Sequence, residues 1–268
     1  MTRLFALLIV LLSAAGCGPR VSHSPEWMTM GTVAKVSFKR ASGFCFAASA
    51  ADDDRAMRIV DTARAACSEV ESRLSVWKKD SEISHYTSID SVSPETRPCY
   101  EAAFRLQKVS GSVFNPFWRG KGKGPDLGGI AKGFAVDLAA QRLCAADLFP
   151  ASDGEGILID FGGNLKVVSG EWRTGIRNPG GGDMVAIVLT NGMACATSGE
   201  YERGKHIYDG RTGMPVSNNL VSVTVVHPTS AMLADGLSTT LFVLGRKEGE
   251  AFLEKHFPEA KAYWIELR

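Results

Sequence analysis

The sequence predicts an α+β fold in which largely antiparallel sheet packs against a separate set of helices. Two observations lead there. The second half of the chain reads as short strands joined by tight turns, and helical periodicity is grouped into blocks between them rather than alternating strand by strand. A third observation sets the scale: 268 residues, 45% hydrophobic and 22% charged, suffice for one sizeable core in an ordinary globular protein.

In chain order, Thr32–Phe38 alternates apolar and polar residues as a half-buried strand does, with Gly43–Ala47 as its hairpin partner. Asp52-Asp53-Asp54 then opens a helix, placing negative charge at its positive end. Its apolar residues Ala56, Ile59, Val60, Ala63, Cys67, Val70 and Leu74 recur at helical spacing and face the core. A second helix runs from about Pro98 to Val109 and stops at Gly111. The glycine-rich stretch Gly120–Gly133 leads into a third helix through about Leu143. Strands are expected at Ile157–Asp160, Leu165–Val168, Trp172–Ile176, Val185–Thr190, His206–Tyr208 and Val221–Val226. Helices Ala231–Leu244 and Lys247–His256 and a last strand Ala260–Leu267 complete the order.

Residues 1–17 stand apart. A positive start (Met1-Thr2-Arg3), the apolar run Leu4–Leu12 and the small residues Ser13-Ala14-Ala15-Gly16 precede Cys17. That run is too short to span a bilayer, which takes about 20 residues, and reads as a signal peptide. Small residues directly before a cysteine resemble a bacterial lipobox, which makes Cys17 the expected lipidation site and implies export with a lipid anchor on the periplasmic side of a membrane; an ordinary cleaved signal or a buried N-terminal strand is the alternative. Residues 18–26 read as a tether and 27–268 as one domain. Cys45, Cys67, Cys99, Cys144 and Cys195 are odd in number and lack CxxC spacing, so neither a zinc site nor a full disulfide framework is indicated. They read as small core residues with at most one or two bridges.

Thirty basic against 29 acidic residues leave no long-range field, so no nucleic-acid partner is expected. The chemistry concentrates elsewhere. Asp126-Leu127-Gly128-Gly129-Ile130-Ala131-Lys132-Gly133 sets bare backbone before a helix start, whose free N–H groups and partial positive charge suit a phosphate. Lys132 adds a full charge and Asp126 an acceptor for a sugar or base; a plain packing turn is the alternative. Neither GxGxxG nor GxxxxGK[ST] is present. Asp235, Ser238 and Thr239 fall at i, i+3 and i+4 and share one helix face, an oxygen set suited to Mg²⁺. Hydroxyls bonded back onto their own helix are the alternative. His206 near a bound pyrophosphate can accept a hydroxyl proton at neutral pH. Trp77 and Met30 are of the kind that packs on flat heteroaromatic rings, or in a core.

Seven segments together resemble the FAD:protein FMN transferases, the ApbE family. They are Met28-Thr29-Met30-Gly31-Thr32, Leu74–Ile83, the glycine cluster through Asp137, Phe161-Gly162-Gly163-Asn164, Ala196–Tyr201, His206-Ile207-Tyr208-Asp209 with Thr212-Gly213, and Ala234–Thr239. The resemblance implies a T-fold-like architecture with a nucleotide cleft between two lobes. Met30, Trp77, Asp126, Lys132 and Tyr208 would then contact FAD, while the carbonyl of Gly129 would join Asp235, Ser238 and Thr239 around Mg²⁺. His206 would act as base or orient the acceptor hydroxyl, with Lys132 holding the pyrophosphate. The implied reaction moves FMN from FAD to a Ser or Thr hydroxyl of an exported acceptor protein and releases AMP. A non-transferring FAD-binding lipoprotein and an FAD pyrophosphatase, yielding FMN and AMP, are the alternatives. One segment departs from the family. Phe114-Asn115-Pro116-Phe117 stands where Phe-Asp-Pro-Thr is usual, and only residues 118–126 replace a few dozen before the glycine cluster.

Overall fold

The computed structural model describes residues 20–40, 50–148, 155–178, 185–200, 204 and 206–267. Residues 1–17 with Cys17, and the strand expected at Gly43–Ala47, lie outside them. The strands are β1 (Arg20–His23), β2 (Trp27–Thr29), β3 (Thr32–Arg40), β4 (Gly156–Phe161), β5 (Asn164–Ser169) and β6 (Trp172–Ile176). Then follow β7 (Val185–Leu189), β8 (Ala194–Gly199), β9 (Tyr208–Asp209), β10 (Met214–Pro215), β11 (Leu220–His227) and β12 (Lys261–Glu266). The helices are α1 (Ala50–Leu74), α2 (Arg97–Val109), α3 (Ala131–Ala145), α4 (Ala231–Leu244) and α5 (Arg246–His256).

The main sheet runs β1-β3-β4-β5-β8-β11-β12, with β2 also on β3. Every strand pair among the described residues is antiparallel, as expected for the α+β class. Period-2 alternation gives this sheet two buried faces. Ala34, Val36, Ile157, Ile159, Phe161, Ala196, Val223 and Val225 join α1, α3 and α4 in the large core. The opposite face presents Leu158, Val167, Cys195 and Val226 to the β6–β7 hairpin, against Trp172, Ile176, Ile187 and Leu189. On α1, Ile59, Val60, Ala63, Cys67, Val70 and Leu74 are buried, following the helical spacing.

Three departures from the sequence reading have physical causes. The stretch 18–26, read as a tether, carries β1, which pairs with the far end of β3. Central strand β8 was not anticipated because its sequence, Ala-Cys-Ala-Thr-Ser-Gly, is small and weakly patterned. Small side chains are what let α4 lie close on it, and packing overrides propensity there. The strand expected at His206–Tyr208 is only the two-residue β9, paired with β10. Cys67, Cys99 and Cys195 are buried free thiols, whereas Cys144, expected inside, is exposed on α3. No helix among the described residues is long and apolar enough to cross a membrane.

Two turns need their glycines. The β4–β5 connection places Gly162 at φ 61° and Gly163 at φ 85°, the mirror-image turn that matches the twist of a two-residue hairpin. The β2–β3 turn places Met30 at φ 49° and Gly31 at φ 69°. A methionine in the left-handed region costs about 1 kcal/mol, and such strain is typically retained where a site uses it.

Candidate active site

A cleft of about 820 Å³ opens where the start of α3, the C-terminal end of β8, the first turns of α4 and the β9–β10 hairpin meet. Its size lies in the upper range for ligand sites. Met30, Trp77, Asp126, Gly129, Lys132, His206, Tyr208, Asp235 and Thr239 all line it. The sequence reading thus gathered residues spread over more than 200 positions into one cavity. Ser238 is the exception.

Asp235 is buried on α4, which faces the start of α3. Its Oδ2 accepts from the Gly133 amide at 2.9 Å, and its Oδ1 lies 3.5 Å from Lys132 Nζ. The anion at this helix start is therefore the protein's own carboxylate, so the Gly133 N–H expected for a phosphate is taken. Burial pushes the Asp235 carboxyl above the usual carboxylate range, while the Lys132 ammonium and the helix-start amides pull it back. Lys132 also donates to the Gly128 carbonyl at 3.2 Å, so its charge is held between the glycine turn and Asp235.

Thr239 Oγ1 lies 3.4 Å from the Gly129 carbonyl and 3.3 Å from Ser198 Oγ. Ser238 is fully buried and donates back to the Asp235 carbonyl at 2.9 Å, so it does not reach the cleft as a ligand would. This back-bonding matches the alternative reading for that hydroxyl. Ser198 on β8 bonds Ser238 at 2.8 Å and faces the cavity in its place. Ser198 lay unnoticed in the sequence because β8 was not seen as a strand. Asp235, Thr239, Gly129 and Ser198 offer only oxygen, with no nitrogen or sulfur donor, which fits a hard divalent cation.

At the hairpin, His206 is exposed and its Nδ1 donates to the Gly204 carbonyl at 2.7 Å. A carbonyl can only accept, so Nδ1 carries a proton, and in the neutral ring it is Nε2 that has the open lone pair. Asp126 accepts from the Gly128 amide at 2.9 Å and lies 3.8 Å from Arg119, so it shapes the glycine turn as much as it faces the cleft. Trp77 is 91% exposed and stands at the rim rather than in the wall.

Two further residues escaped the sequence reading. Asp137 on α3 accepts from the Ala231 and Met232 amides at 2.9 and 3.0 Å and from Ser230 Oγ at 2.8 Å, with Lys166 at 3.0 Å. It caps α4 from outside and so sets the register that brings Asp235 to Gly133. Trp118 stacks on Tyr208 with ring centres 4.2 Å apart, and both line the cleft.

The sequence model of the ApbE family matches residues 119–264. A Haemophilus influenzae FAD:protein FMN transferase is 37% identical over 147 residues, which cover 49% of this chain and 40% of that relative. The chain thus spans under half the length of this relative. A Vibrio cholerae FAD:protein FMN transferase is 27% identical over a 313-residue alignment covering 92% of this chain and 89% of the relative. That alignment exceeds this chain's 268 residues, in keeping with a chain shortened against its relatives. The fold matches the ApbE protein of Thermotoga maritima (TM-score 0.71, 22% identity, 92% of this chain and 94% of that one). It also matches the flavin transferase ApbE of Vibrio cholerae (TM-score 0.69, 24% identity, 93% and 94%). With its cleft residues in place and more than half of its length under the family's sequence model, this chain belongs to the ApbE family.

Proposed function

We propose that the protein is a flavin transferase that moves FMN from FAD to a Ser or Thr hydroxyl of an exported acceptor protein, releasing AMP. The observation that carries this reading is the convergence of Lys132, Asp235, Thr239 and His206, its Nε2 turned away from the Gly204 carbonyl, on one cleft. Asp235, Thr239, the Gly129 carbonyl and Ser198 would hold Mg²⁺, which would draw charge off the pyrophosphate. Lys132, already anchored at Gly128, meets the same pyrophosphate from the α3 side. Met30 and Tyr208 form the walls against the nucleotide rings, with Trp77 at the mouth. His206 Nε2 takes the proton of the attacking hydroxyl, and the Gly204 carbonyl stabilises the imidazolium that results. Exposure of His206 leaves room for a protein side chain to approach. The signal-like segment 1–17 supports export, with a lipid on Cys17 holding the enzyme at the membrane where its acceptor is.

The test mixes purified protein with FAD, MgCl₂ and a Ser/Thr-containing acceptor peptide, and follows covalent flavin fluorescence on the peptide. Labelled peptide that disappears with EDTA is the expected result. FMN and AMP without labelled peptide would make the protein a pyrophosphatase. Unchanged FAD with saturable binding would leave a flavin-binding lipoprotein.

A further inference from the structure

The segment 114–126, short against the family pattern that the sequence resembles, is tied down by several hydrogen bonds. Asn115 Oδ1 accepts from Gln107 Nε2 and from the Phe117 amide, both at 2.9 Å, and its Nδ2 donates to the Gly210 carbonyl at 2.8 Å. Gly210 in turn donates its amide to the Val113 carbonyl at 3.0 Å. The two chains pass so closely that a Cβ at Gly210 would sit 2.4 Å from Asn115 Cβ and 2.6 Å from the Ser112 carbonyl. Short segment and β9–β10 hairpin therefore move as one body.

Successive side chains of that segment then part. Phe117 turns inward and stacks on Phe104 at 5.8 Å beside Tyr86, in an aromatic cluster behind the cleft wall. Trp118 turns to the cleft and lies almost parallel to Tyr208, 15° between planes and 4.2 Å between centres. Both rings are only half-buried and neither belongs to the core clusters. Two large aromatics held rigid on the wall of a polar cleft, by anchors on both flanks, form a platform. Flat heteroaromatic rings stack on such a platform with little loss of side-chain freedom, because the rotamers are already fixed.

Resting on the transferase reading, we infer that Trp118, backed by Tyr208, is a nucleotide-binding residue that stacks on one of the two ring systems of FAD. The ligand chemistry is that of a planar, electron-poor heterocycle, and adenine and isoalloxazine both qualify. The short segment thus supplies binding surface through one preorganised ring. Trp118 is here a specificity determinant for ring-bearing nucleotides and takes no part in proton or phosphoryl transfer.

Titration of FAD by fluorescence anisotropy, with ADP and FMN as competitors, tests this on the full domain. Trp118→Leu keeps apolar bulk and removes the plane; Trp118→Phe keeps the plane. FAD affinity should fall about 10-fold in the leucine variant and stay within about 3-fold in the phenylalanine variant. A matching loss for ADP alone places adenine on the platform, and a loss for FMN alone places the isoalloxazine there. Unaltered FAD affinity in Trp118→Leu, with wild-type thermal stability, overturns the assignment while leaving the transferase reading intact. Failure of the wild-type protein to bind FAD overturns both.

Discussion

The α3–α4 junction and the β9–β10 hairpin face the same cleft and are built on opposite terms. At the junction every exposed helix-start donor of α4 has a partner. His227 Nδ1 accepts from Thr229 and Ser230, Asp137 from Ala231 and Met232, and Ser230 Oγ from Leu233. The hairpin carries an exposed His206, a 65% exposed Met214 and a turn through Gly213 at φ 71°. The difference separates two tasks. A pole that fixes a cation and a pyrophosphate needs oxygens whose positions do not relax, and a pole that meets a protein acceptor needs open surface.

The contrast predicts a descending series of stability effects, and Gly133→Ala stands first. Its Cβ would lie 2.2 Å from the Ala231 carbonyl and 2.8 Å from Asp235 Cβ, so α3 and α4 must part. A loss of about 3 kcal/mol is expected in urea unfolding. A loss under about 1 kcal/mol would show that the helices slide freely and that the junction is not the rigid pole.

Asp137→Ala comes next, at about 2 kcal/mol, because it leaves two helix-start amides without their acceptor and takes from Lys166 its carboxylate partner, leaving it the Thr229 carbonyl. Asp137→Asn retains one carbonyl and should lose less. If the register of α4 depends on this cap, the Mg²⁺ concentration for half-maximal turnover rises in both variants, more in alanine. Lower stability with an unaltered Mg²⁺ requirement would confine Asp137 to a scaffold role.

A smaller effect is expected from acid. His227 accepts two amides at Nδ1, and burial holds its pKa below the ordinary 6.5 against the pull of Glu259. Asp137 and Lys166 also face it, with opposite influence. A folded-state value below the unfolded one means that the unfolded chain binds the proton first. The stability due to His227 is therefore complete above pH 6.5 and lost progressively as pH falls from there toward the lower folded-state value. His227→Asn, whose Oδ1 can accept both amides without titrating, should flatten the stability profile below about pH 6.5. An unchanged slope would remove His227 from the cap.

How far the sequence disclosed all this follows the same divide. Cleft residues with a distinctive side-chain chemistry were legible: Lys132, Asp235, Thr239 and His206 carry charge, oxygen or an imidazole in recognisable settings. The α1 face and the β4–β5 turn were legible because periodicity and Gly-Gly chemistry are local. What stayed hidden depends on contacts far along the chain. Asp137 is an ordinary helix carboxylate until α4 arrives 94 residues later at Ala231. Ser198 needs β8 to be a strand, and its small residues give no alternation to read. Ser238 was placed on the right face, but a helix wheel does not reveal that its hydroxyl turns back to the Asp235 carbonyl.

The smallest stability effect should belong to the residue to which the proposed transfer gives the hydroxyl proton. Among the described residues the His206 ring hydrogen-bonds only to the Gly204 carbonyl and stands in solvent. His206→Ala should therefore shift unfolding by no more than about 0.5 kcal/mol. Flavin transfer to the acceptor peptide should nevertheless drop about 100-fold, the usual scale for removing a general base. FAD affinity should stay within about 3-fold, since Lys132 and the Trp118–Tyr208 pair, and not His206, are proposed to hold the nucleotide. Parallel loss of binding and transfer would mean that His206 itself grips FAD, and the separation of holding from reacting groups would fail.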